Sequence, residues 1–165
     1  CCHLSICKIK NKMIMKKIIL IILVSVFGLI EINAQTVSRT ILKSGTWEWI
    51  YPECNYCTTK MHFDETKMYW DVYYFYNKKT NTEIDTYYLS DTLPDTFDKS
   101  KVGKVNNGQY IVMLNTNMRK GKELELMSCF KVLNVTNDEL RVMVSYIPPS
   151  SVGGIGDIYV FKKVK

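Results

Sequence analysis

The chain is poor in the residues and motifs that announce chemistry. Only two histidines, His3 and His62, occur in 165 residues. Neither Gly-x-Ser-x-Gly, His-Glu-x-x-His nor a phosphate loop is present, so nucleophilic hydrolysis, zinc proteolysis and nucleotide hydrolysis have no sequence basis. The Gly-rich stretch Val152-Gly153-Gly154-Ile155-Gly156-Asp157 leads into a strand-like tail and not into a helix. It therefore fails the context that dinucleotide or phosphate binding requires, and reads as a connection between strands. Proline (4) and glycine (8) are too few for a fibrous or low-complexity chain. The longest apolar run, Ile18 to Ile30, is 13 residues, short of the ~20 that a spanning helix needs.

That run lies in a segment unlike the rest. Met13 and Met15 are alternative starts. From Met15 the order is Lys16-Lys17, the apolar run, then Glu31-Ile32-Asn33-Ala34. A short basic region, an apolar stretch and a small terminal residue form the secretory signal pattern, with cleavage expected between Ala34 and Gln35. Residues 1–34 are thus read as upstream residues plus a signal helix, and 35–165 as a single secreted or periplasmic domain. Membrane contact is confined to the signal segment before cleavage. Residues 1–34 hold five lysines and one glutamate, which leaves 17 basic and 15 acidic residues, a net charge of +2. That is no footprint for nucleic acid, which requires a strongly basic stripe or patch.

Cys54, Cys57 and Cys129 remain after residue 34. A secreted context favours a disulfide. Cys54-Asn55-Tyr56-Cys57 can close a small loop between strands, or Cys129 can pair with either member. No amphipathic helix follows the Cys-x-x-Cys pair, against a thioredoxin-like site. His62 and Cys129 do not complete a zinc spacing, so no metal and no cofactor are expected. Among the acids, Glu123 and Glu125 fall on one strand face as ordinary surface groups. Asp71 sits inside the aromatic run Tyr69 to Tyr76; facing inward it would be a buried carboxylate needing a partner, facing outward a solvated one.

What is present is strand signal. Thr46–Tyr51, Lys60–Phe63, Lys67–Tyr76, Glu83–Leu89, Gln109–Asn115, Glu123–Val135, Leu140–Tyr146 and Ile155–Val164 are rich in β-branched and aromatic residues and are separated by turn residues. Glu123–Val135 shifts its apolar face near Met127 to Cys129, which predicts a bulge or a bend. No window after residue 34 carries a convincing 3.6-residue period. The class is all-β and antiparallel: an up-and-down meander of about eight strands closed into a barrel, with a β-sandwich as the alternative.

Ser44-Gly45-Thr46-Trp47 resembles the opening Gly-x-Trp of lipocalin-type barrels, where the Trp packs at the barrel floor. The stretch from Tyr88 through Val112, and the ending Val132 to Leu140 followed by a terminal strand to Lys163, are similar to small secreted bacterial lipocalin-like proteins. The resemblance implies a non-catalytic binding protein whose apolar interior carries a small hydrophobic or amphipathic ligand. Trp49, Trp70, Tyr74, Phe75 and Tyr110 are the candidate lining residues. The alternative is a filled barrel that acts through its surface on an envelope protein partner.

Overall fold

In a computed structural model of the chain, residues 35–119, 122–148 and 154–164 are described. The expected signal helix lies outside them. Among the described residues no helix is long and apolar enough to cross a membrane.

The elements are β1 (Val37–Ser38), α1 (Arg39–Lys43), β2 (Trp47–Tyr51), β3 (Cys57–Phe63), β4 (Lys67–Tyr74), β5 (Lys79–Ser90), a 3-10 turn (Lys99–Lys101), β6 (Asn107–Gly108), β7 (Tyr110–Arg119), β8 (Lys122–Val135), β9 (Glu139–Tyr146) and β10 (Ile158–Lys163). Strands β2, β3, β4, β5, β7, β8, β9 and β10 pair in chain order, and β10 returns to β2. Every pairing is antiparallel. The result is the closed eight-stranded meander, not the sandwich.

Alternation decides which side chains face inward. On β3, Cys57, Thr59, Met61 and Phe63 are buried while their neighbours are not. On β9, Leu140, Val142 and Val144 behave alike. Met61, Phe63, Leu140, Val142 and Val144 form one interior cluster with Trp47, Met68, Tyr87, Leu89, Ile111, Met113, Phe130 and Phe161. The ladder between β8 and β9 slips between Cys129 and Phe130, and again between Val132 and Asn134. The first irregularity is the bulge read from the shifting apolar face.

A second, smaller cluster lies on the other side of the sheet. Tyr88, Val112 and Cys129 are buried there under Phe97 and Val102, which the long β5–β6 connection supplies. Gly108 makes that connection possible: a Cβ there would lie 2.5 Å from the backbone nitrogen of Ser90.

The short α1 was not visible in the sequence, because five residues are too few for a helical period. Ser38 caps it, its hydroxyl accepting from the Ile41 N–H at 3.2 Å. The segment seals one end of the barrel. Trp47 is fully buried and its indole N–H donates to the Leu42 carbonyl at 2.9 Å. The Lys163 ammonium sits 5.6 Å from the Trp47 ring centroid. Arg39 is buried; its guanidinium donates to the Gly103 carbonyl at 2.8 Å and to the Val105 carbonyl, and pairs with Glu65 at 3.5 Å. One side chain thus ties the N-terminal segment, the long connection and the β3–β4 turn together.

Arg39→Met keeps the apolar stem but strips the donors from two carbonyls. An unsatisfied buried acceptor costs ~1–3 kcal/mol, so this variant is expected to lose about 2 kcal/mol or more in urea unfolding. An unchanged midpoint would contradict the latch.

Candidate functional site

The β2–β3 and β4–β5 connections lie at the end opposite α1. Here the described residues leave space in the interior. A cavity of about 320 Å³ is lined by side chains of β2, β3, β4, β5 and β10, with Tyr56 from the β2–β3 loop. Its position follows from alternation: Trp49, two residues beyond Trp47, faces inward, as do Trp70, Val72 and Tyr74 on alternating or rim positions of β4. The rings pack edge to face or tilted against one another. Trp49 and Tyr159 lie 5.0 Å apart between centroids, and Trp70 and Phe161 lie 6.0 Å apart, within the range for favourable aromatic pairs. Burial, with Asp157 nearby, raises the Tyr159 phenol above its usual 10, so it stays protonated at neutral pH.

A loop bounds the cavity. The disulfide is Cys54–Cys57, with a Cα–Cα distance of 5.6 Å. Cys57 opens β3 and lines the cavity, while Cys54 lines an adjoining hollow with Glu53, Asn55 and Phe75. Cys129 is a buried free thiol on the outer face, and desolvation pushes its pKa to about 12. A thiol held there is inert as a nucleophile.

Below Trp70 lies a polar group within the barrel. Its indole N–H donates to Asp85 Oδ2 at 3.2 Å, and the Asn115 amide donates to Asp85 Oδ1 at 2.7 Å. Asp85 is buried, and desolvation raises its pKa above 3.8 against the lowering effect of Asn115, Trp70 and Lys67. The Asn115 Oδ1 and Trp49 Nε1 atoms are buried without a partner.

Of the five lining candidates, Trp49, Trp70 and Tyr74 come together in the cavity. Two placements differ from expectation. Phe75 is 47% exposed, because β4 ends at Tyr74 and the chain there turns toward solvent. Tyr110 packs on the outer cluster beside Tyr88 and Cys129, since in the β5–β7 register Ile111 and Met113 take the inward positions. Asp71 faces outward. It accepts from the Thr82 hydroxyl at 2.6 Å and pairs with His62 at 3.6 Å, and His62 stacks on Tyr69 at 4.5 Å. These two border an outer-face hollow with Lys43, Gly45 and Lys60. Among the described residues no group of three or more His, Cys, Asp or Glu side chains could hold a metal ion.

Sequence reading missed Asp85, Glu83, Tyr159 and Phe161. The signal for Asp85 was there: it shares a period of two with Tyr87 and Leu89, both fully buried.

No family, no curated protein and no solved structure matches the chain.

The Asp85 environment makes a pH prediction. A raised folded-state pKa means the native state holds its proton more tightly than the unfolded chain, so this group's contribution is fully present below 3.8 and is lost as pH rises through the folded value. Asp64 and Asp98, held low by hydrogen bonds, act in the opposite sense, but they cancel between wild type and Asp85→Asn. Thermal unfolding of both should show the variant gaining on wild type as pH rises from acid toward neutral. A gap that does not change with pH would contradict a buried, hard-to-ionise Asp85.

Proposed function

We propose that the protein is a non-catalytic binding protein of an oxidising compartment, secreted or periplasmic, whose barrel carries a small hydrophobic or amphipathic molecule at its open end. The observation that carries this reading is the aromatic cavity beside the disulfide loop. Its volume of about 320 Å³ sits at the lower limit of small-molecule sites, which run ~300–1,000 Å³. The lipocalin-like resemblance points the same way. The Trp of Gly45-Thr46-Trp47 packs at the closed end, where the resemblance expects it. The disulfide agrees with an oxidising compartment.

A second reading has an observation of its own. Tyr51 at the end of β2, Tyr56 on the β2–β3 loop, and Phe75 and Tyr76 on the β4–β5 loop are exposed at the same end, and Phe75 N–H donates to the Tyr56 carbonyl at 3.1 Å. An exposed aromatic rim suits an envelope protein partner, and that role would not need the cavity.

A neutral fluorescent probe separates the two. An aromatic probe burying ~200 Å² gains about 5 kcal/mol at ~25 cal/mol per Å² before association costs, so binding is sought from micromolar to millimolar concentration. N-phenylnaphthylamine should gain fluorescence with saturation on wild type. Val72→Trp, which fills the cavity from β4, should weaken it at least ~10-fold with the far-ultraviolet circular dichroism unchanged. A probe that ignores the filled cavity would favour the rim.

A further inference from the structure

The lining is more selective than a merely greasy occupant requires. Six of its ten residues are aromatic (Trp49, Tyr56, Trp70, Tyr74, Tyr159 and Phe161), and its single charged residue is Glu83. Glu83 stands directly across from Trp70 in the β4–β5 ladder, so carboxylate and indole share the inward side. Among the described residues, no hydrogen bond or ion pair engages the Glu83 side chain. No Lys, Arg or His among them lines the cavity. In the same ladder Lys67 stands across from Thr86, where its ammonium donates to the Thr86 hydroxyl, and Lys79 stands across from Tyr74 at the strand end and is exposed.

Aromatic faces carry negative quadrupole potential and attract cations that come within ~6 Å of a ring centroid. Both contributions to the field in this cavity, rings and carboxylate, therefore have the same sign. An anionic ligand would meet repulsion from both. A neutral apolar ligand would crowd Glu83 away from water and give nothing in return. Only a cation uses every group of the lining.

We infer that the molecule held here is a small organic ammonium ion, its apolar or aromatic body among the rings and its protonated amine against Glu83. The inference rests on the cavity reading and narrows it to a ligand class. A partly exposed carboxylate–ammonium pair and one or two cation–ring contacts together raise affinity roughly 10-fold over a neutral molecule of the same shape.

The test is isothermal titration of the whole protein with three probes of nearly equal size: phenethylamine, phenylethanol and phenylacetate. The expected order is amine first, by ~10-fold over the alcohol, with the carboxylate weakest. Glu83→Gln, an isosteric change at an exposed position, should bring amine and alcohol within ~3-fold of each other, chiefly by weakening the amine. The amine's advantage should also shrink as salt is raised. An alcohol that binds as tightly as the amine overturns cation selection and leaves the cavity standing. An amine preference that survives Glu83→Gln overturns the role of Glu83. No heat from any probe, with the protein folded by circular dichroism, removes the cavity reading and this inference with it.

Discussion

Everything in the fold depends on the return of β10 to β2. Phe161 pairs across from Trp49, and Lys163 from Trp47. That ladder removes the two edges an open meander would expose. It also sorts every side chain of eight strands to one of two sides. Once the sheet is closed, strand number fixes the bore, and eight strands leave an interior that side chains can just fill. Whether it is filled is then decided locally, end by end.

The two ends are solved differently. At one, the chain spends its N-terminal segment as a plug. Leu42 and Trp47 bury fully, and the buried Arg39 donates hydrogen bonds to the Gly103 and Val105 carbonyls and pairs with the exposed Glu65 carboxylate. Removing that side chain leaves two carbonyls without their donor. At the other end, among the described residues, no such segment lines the interior. The Cys54–Cys57 loop skirts the rim, and large rings stand around a space instead of closing it. Between the two, Asp85 is a polar point in an apolar barrel, held by one indole and one amide. Its neighbour Trp70 belongs to both environments: its ring borders the cavity and its N–H serves the carboxylate below. A ligand that moves Trp70 therefore acts on Asp85 too.

Much of this was legible in sequence, for physical reasons. Strands half buried on one side write a period of two, as in Leu140, Val142 and Val144, and the turn residues between them are polar. Class, strand count, meander order and the bulge in β8 follow from such patterns. Facing was readable only where one side is clearly apolar. In Lys67 to Tyr76 both sides are aromatic, so Asp71 could not be placed. The ladder places it, opposite Lys60 and Thr82 on the outer side. Tyr110 misled for a related reason: the β5–β6 connection covers the outside of β5, β7 and β8, which makes an outward aromatic look like an inward one. A covering loop leaves no periodic trace in the strands beneath it. The cavity was half legible. Trp49, Trp70 and Tyr74 stand out as large aromatics on strands, but Tyr159 and Phe161 complete it from the far end of the chain, and only closure brings β10 beside β2.

The proposed cation-selective site at the open end of the barrel is tested most directly by a crystal structure of the protein with phenethylamine. The expected result is the ring between Trp49, Trp70 and Tyr159, with the ammonium in ion-pair contact with Glu83. A probe seated on the outer face beside His62 and Asp71, with the aromatic cavity empty, would contradict it.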